Sequence, residues 1–174
     1  MKHVAFLRGI NVGGHTILKM ADLKQIFESL GLEDVQTYIQ SGNVIFQTNE
    51  KDTDSLAKQI ERQLQNVTGH KIQLFVRTIR EVQTFASKSP FTPKDSETVH
   101  VTLLKKKPGR KAQQALLAFK SDADDFAFKG RELYNLRHDR EASIFSNNWV
   151  EKILNAPATT RNLTTIKKIA EKYK

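Results

Sequence analysis

VQTYIQSGNVIFQT, residues 35–48, is the stretch on which the fold turns. Two β-prone runs, Val35 to Ser41 and Val44 to Thr48, flank Gly42-Asn43, a pair suited to a two-residue type II′ hairpin turn. With that pair at the tip, Ser41 is expected opposite Val44, Ile39 opposite Phe46 and Thr37 opposite Thr48. One face then collects Val35, Ile39, Val44 and Phe46, and the other Gln36, Tyr38, Gln40, Ile45 and Gln47.

To either side of this hairpin the apolar period changes. Upstream, His3 to Arg8 reads as a strand, and Leu23, Ile26, Phe27 and Leu30 recur at helical spacing before Gly31 supplies a C-terminal cap. Downstream, Thr53 or Asp54 starts a helix striped by Leu56, Ile60, Leu64 and Val67, Gly69 ends it, and Gln73 to Thr78 returns as a strand. The order βαββαβ is the ferredoxin-like unit.

Residues 80–174 read as a related, looser α+β half. A short helix around Val82, Phe85 and Ala86 stops at Pro90, and a strand follows at Thr98 to Leu104. A helix around Ala112, Ala115, Leu116 and Phe119 precedes two short strands, Asp125 to Lys129 and Glu132 to Leu136, joined across Gly130-Arg131. Helices carrying Trp149, Val150, Ile153 and Leu154, and then Leu163, Ile166, Ile169, Ala170 and Tyr173, complete the chain. No sequence repeat is evident between the halves and no Ser/Gly-rich linker divides them. The expectation is an α+β protein with a ferredoxin-like half at 1–79 and a second half at 80–174, packed as one compact body.

Composition narrows the function classes. The 174 residues are 39% apolar, enough to build a core. Without cysteine there is no disulfide framework, no thiolate nucleophile and no Cys-ligated metal. The apolar run Val4 to Leu7 is cut off by Arg8, too short for a signal segment, and no other run approaches membrane-spanning length, so a soluble cytoplasmic protein is expected. The net charge of +9 is unevenly spread. Residues 1–87 hold ten basic and nine acidic side chains, whereas residues 88–174 hold eighteen and ten. An electrostatic partner is therefore expected at the second half.

LRGINVGGHT, residues 7–16, invites comparison with a phosphate-cradling P-loop. That motif needs a lysine where His15 stands, and a helix starting at once, which Ile17-Leu18-Lys19-Met20 delays. The βαββαβ order also implies an antiparallel sheet. A simpler anion site is left, in which Arg8, the backbone of Gly9, Gly13 and Gly14, and the side chains of Asn11 and His15 converge at a strand end. Against it stands a plain Gly-rich loop with positive φ angles, Asn11 bonding to its own backbone. The polar run Tyr38 to Asn43 is expected at the opposite end of the sheet, about 15–20 Å away for strands of five or six residues. Any ligand at the Gly-rich loop would then be completed by Arg161 and Asn162 from the C-terminal helix.

For nucleic acid, the candidate contacts are Lys105, Lys106, Lys107, Arg110 and Lys111, and the last helix with Lys167 and Lys168. The alternative is a solvated turn and a helix face with lysines well placed for the dipole. Asn43 to Gln47 lacks the aromatic pattern of a base-stacking sheet. The five histidines show no metal-ligand spacing, and no serine sits in a GxSxG elbow. Asp122, Asp124 and Asp125 read as a polar turn.

LRGINVGG (7–14), KMADLKQIFESLG (19–31), YIQSGNVIF (38–46), NNWVEKIL (147–154) and ATTRNLTTIKKIA (158–170) together resemble, across essentially the whole chain, the bacterial proteins grouped as domain of unknown function 1697. The resemblance brings no activity with it. It implies that Arg8, Gly9, Asn11, Gly13, Gly14, Gln40, Ser41, Gly42, Asn43, Thr160, Arg161 and Asn162 are motif positions. Members often carry Lys-Asn where His15-Thr16 stands, which weakens any role needing a cation at position 15. An aromatic residue often stands at the place of Leu163, which points to packing there.

Three functional readings follow. The leading one is a binding protein whose basic second half contacts a polyanion such as nucleic acid. The second is a protein, or enzyme, that binds a small phosphate-bearing ligand at Arg8, Gly9, Asn11, Gly13, Gly14 and His15, with Arg161 and Asn162; Tyr38, Gln40, Ser41, Gly42 and Asn43 form a separate motif. The third is a module whose motifs encode only fold and self-association. None calls for a metal or a cofactor, and no motif names a reaction or an oligomeric state.

Overall fold

In the computed structural model the chain is described at residues 1–11, 17–39 and 42–174. It divides into two units, Met1–Val82 with Lys172–Lys174, and Gln83–Glu171. The first unit runs β1 (Lys2–Leu7), α1 (Met20–Glu28), β2 (Glu33–Tyr38), β3 (Asn43–Gln47), α2 (Thr53–Thr68) and β4 (Leu74–Thr78). Its strands form one antiparallel sheet in the order β2-β3-β1-β4, the βαββαβ unit read from the sequence.

Local chemistry sets these elements. The Asp52 carboxylate accepts the backbone N–H groups of Asp54 (3.0 Å) and Ser55 (3.1 Å), starting α2, and Gly69 ends it in the left-handed region at φ 74°. Leu23, Ile26 and Phe27 of α1 and Leu56, Ala57, Ile60 and Leu64 of α2 are buried. They join Ala5, Leu7, Val44, Phe46, Leu74 and Val76 of the sheet in one core. Each large apolar side chain so buried contributes about 1.5–3 kcal/mol. Val67, at the end of the expected stripe, is instead 58% exposed.

The hairpin register differs from expectation by four residues. Tyr38 lies opposite Asn43, Thr37 opposite Val44 and Gln36 opposite Ile45, so Gly42-Asn43 is not the tip. The cause is the neighbouring strand. Leu7 N–H donates to the Gly42 carbonyl at 2.8 Å, which extends the β1–β3 ladder back to Gly42 and draws Asn43 into β3. Asn43 is wholly buried, and its amide donates to the Tyr38 carbonyl at 2.9 Å. Because the slip is even, Val35, Val44 and Phe46 keep the core face. Only Ile39 leaves it, 52% exposed with φ 51°.

α3 (Ile79–Ser87) follows β4 directly. Thr78 and Glu81 form a reciprocal cap at its start: Glu81 N–H donates to the Thr78 hydroxyl (3.2 Å), and Thr78 N–H to the Glu81 carboxylate (2.8 Å).

The second unit continues with β5 (Thr98–Leu104), α4 (Arg110–Leu117), β6 (Asp124–Lys129), β7 (Glu132–Arg137), α5 (Asn147–Leu154), β8 (Ala158–Asn162) and α6 (Leu163–Lys172). The strand order β6-β7-β5-β8 repeats that of the first unit, element for element. The looser half is thus a second βαββαβ, completed by a strand the sequence reading lacked. Arg161 and Asn162 lie on β8, not on the C-terminal helix. The segment ATTRN carries two β-branched threonines but only one apolar residue, so periodicity could not announce it.

Leu104, Leu116, Phe126, Leu133, Phe145, Val150 and Ala158 form the second core. Asp124 begins β6 rather than sitting in a turn, and it is fully buried. Its carboxylate accepts from Asn135 Nδ2 (2.9 Å), Ser143 Oγ (2.8 Å) and Ile144 N–H (3.0 Å), tying the 138–146 loop to the sheet.

Candidate functional site

The first unit brings its two sequence motifs together. Phe6 pairs with Asn43 across antiparallel strands, so β1 ends where β3 begins. The expectation that they occupy opposite ends of the sheet is therefore wrong. A methyl group placed on Gly42 would lie 2.8 and 2.9 Å from Ile10 side-chain carbons and 3.0 Å from Leu7 Cβ, and Gly42 has φ 77°. Arg8 N–H donates to the Gln73 carbonyl at 2.8 Å, so the lead-in to β4 reaches the same end.

At this end Gly9 (φ 67°), Asn11 (φ 56°) and Ile39 (φ 51°) also adopt positive φ. Asn11 is committed to its loop: Nδ2 donates to the Leu18 carbonyl (3.0 Å) and Oδ1 accepts Leu18 N–H (2.9 Å). The Asn43 amide likewise staples its hairpin. Tyr38 is half-buried, its ring edge-on to Tyr173 at 6.2 Å, with Lys172 Nζ 5.3 Å from its centroid. Gly13, Gly14, His15, Gln40 and Ser41 lie outside the described residues.

The corresponding end of the second unit has a different chemistry. Leu104 N–H donates to the Arg131 carbonyl at 3.0 Å, the counterpart of the Leu7–Gly42 bond. The β5–α4 loop therefore lies beside the β6–β7 tip, where Gly130 has φ 60°. Lys106, Lys107, Arg110 and Lys111 are exposed, and Lys105 and Arg131 half-buried. None of the four exposed cations forms an ion pair among the described residues. No Asp or Glu occurs between Thr98 and Ser121.

α4 starts at Gly109 with no side-chain cap and no acidic residue in its first turn. Arg131 escaped the sequence reading. Its signal was the Gly130-Arg131 tip, whose position beside Lys105 only the strand order reveals. Lys167 and Lys168 are exposed on α6, which starts from the other end of β8, where Asn162 faces His100, and so belong to a separate surface.

The side chains of Arg161 and Asn162 have local tasks. Arg161 is 9% exposed, and burial lowers its pKa to about 10. Its Nη1 donates to Thr159 Oγ1 and to the Thr160 carbonyl, both at 2.9 Å. Asn162 Oδ1 accepts Thr164 N–H (2.9 Å) and caps α6. His3, buried on β1, and His100, partly buried at the matching place on β5, both have their pKa lowered, chiefly by desolvation.

Among the described residues no group of His, Asp and Glu could hold a metal ion, and no helix is long and apolar enough to cross a membrane. A family model described as protein of unknown function, DUF1697, matches residues 1–134. The solved structure of the conserved bacterial protein SP0830 from Streptococcus pneumoniae is 21% identical with a TM-score of 0.73, covering 99% of this chain and 98% of that one. At that identity the likeness shows the fold alone. No curated protein matches the chain.

Proposed function

The chain belongs to the DUF1697 family of proteins of unknown function, and from that premise we propose that it is a polyanion-binding protein whose second unit grips the phosphate backbone of a nucleic acid. The observation that carries this is the unneutralised cation cluster at the start of α4. Positive charge in a first turn opposes the helix dipole, and each such cation costs a few tenths of a kcal/mol that the fold has no need to spend. Arg110 and Lys111 occupy that turn, beside Lys106 and Lys107, and none of these four forms an ion pair among the described residues. The same uncapped turn leaves helix N–H groups open to a phosphate oxygen. Nothing in this surface reads bases, so contact of this kind is independent of sequence.

The test is fluorescence anisotropy with a labelled mixed-sequence duplex. Affinity should fall with salt at a log–log slope of about −3 to −4, as expected for some four phosphate contacts. K106E/K107E/R110E should abolish binding without lowering the unfolding temperature, since an acidic residue in the first turn of α4 favours the helix dipole. Absence of binding at low salt, or equal binding by that variant, refutes the proposal.

A further inference from the structure

Outside that surface, the first unit holds a cleft of 330 Å³ between α2 and the segment leading into β4. Lys58, Arg62 and Gln65 line it from successive turns of one α2 face, and Lys71 and Gln73 face them from the lead-in. We propose that this cleft binds a small molecule carrying two or more negative charges, of the phosphate-ester or diphosphate class.

The charge pattern supports this. Residues 1–87 are close to neutral, yet three of their ten cations border this one cleft. Lys58 and Arg62 stand at i and i+4, where like charges repel and cost an isolated helix about 0.2–0.5 kcal/mol. Neither they nor Lys71 forms an ion pair among the described residues. The cleft's carboxylate, Glu61, is drawn to the strand edge, where Oε1 accepts Leu74 N–H at 3.0 Å. That bond holds one of its oxygens at the strand edge, at the side of the cleft formed by the lead-in to β4.

The frame is stiff. α2 is capped at both ends, and Ile72 anchors the lead-in at 4% exposure. The lead-in is also fastened to the motif-bearing end of the sheet, because the Gln73 carbonyl accepts Arg8 N–H. A pocket of this size accommodates a compact metabolite. Two ammonium groups and a guanidinium supply point charges and a planar fork suited to phosphate oxygens, and the two glutamine amides can donate to its remaining oxygens.

Titration calorimetry with inorganic pyrophosphate tests the assignment, with inorganic phosphate as the singly substituted comparison. Pyrophosphate should bind and phosphate bind more weakly. R62Q/K71Q, two exposed positions, should weaken pyrophosphate by about tenfold or more, with K58Q intermediate and no variant unfolding below the wild-type temperature. Duplex binding, measured on the same R62Q/K71Q sample, should be retained, which separates this site from the α4 surface. No heat with pyrophosphate, or equal pyrophosphate affinity in R62Q/K71Q, overturns the proposal.

Discussion

Replacing Gly42 by alanine tests whether the end of β1 and the lead-in to β3 are one packed unit. Two costs add. The first is conformational, since an L-residue at φ 77° costs about 1–2 kcal/mol over glycine. The second is steric. The new methyl would meet Ile10 Cδ1 at 2.8 Å, Ile10 Cγ1 at 2.9 Å and Leu7 Cβ at 3.0 Å. Ile10 can turn its tip, but Leu7 Cβ is fixed to a strand in mid-sheet, and overpacking of this kind costs about 1–3 kcal/mol.

The sum is about 2–5 kcal/mol in a two-state denaturant titration. Gly31 supplies the control: its φ is 74°, yet nothing lies within 4 Å of its methyl position. G31A should therefore cost only the conformational part, about 1–2 kcal/mol. The difference between the variants measures the contact between the two motifs. Equal losses in G42A and G31A would refute the close approach of Gly42 to β1.

Two further outcomes follow from buried polar groups. His3 and His100 have pKa values held below the usual histidine range, so the folded state resists protonation more than the unfolded one. Their stabilising effect is therefore complete above the unfolded pKa and is lost as pH falls through it toward the folded values. Unfolding free energy should decline between about pH 7.5 and 5.5, and H3F/H100F should flatten that slope; an unchanged slope contradicts the assignment. D124A should destabilise the second unit by about 3–5 kcal/mol in thermal or denaturant unfolding, because the Ser143 hydroxyl and Ile144 N–H lose their acceptor together and the Asn135 amide keeps only the Asp125 carbonyl. A loss under 1 kcal/mol would deny Asp124 its anchoring role.

Much of the architecture was legible where one face of an element is buried. Leu23, Ile26 and Phe27, or Leu56, Ile60 and Leu64, repeat at helical spacing because a single stripe meets the core. β8 was illegible for the complementary reason. Ala158, Thr159 and Arg161 are all buried, on both faces of the strand, yet only one of them is apolar. The kinship of the halves was similarly thin in sequence. His3-Val4 and His100-Val101 stand at matching places in the central strands, and Arg77 and Arg161 each fold back to donate to the preceding carbonyl, but such echoes surface only once strand order aligns them.

The candidate surfaces divide along the same line. Lys105 to Lys111 could be picked out as a charge run, and Arg8 to Asn11 as a loop of special backbone, since both properties belong to neighbours in the chain. Arg131 beside Lys105, Gly42 against Ile10, and Lys71 across from Arg62 depend on partners far apart in sequence. By itself the sequence determined the kind and order of the elements, because hydrophobic period, helix caps and turn residues act within a few positions. Only the tertiary structure decided the hairpin register, the joining of the two motifs at one sheet end, and the cleft beside α2. Those depend on which strand lies next to which, and β1 pairing with β3 rather than β2 is a long-range competition for backbone hydrogen bonds that no local pattern records.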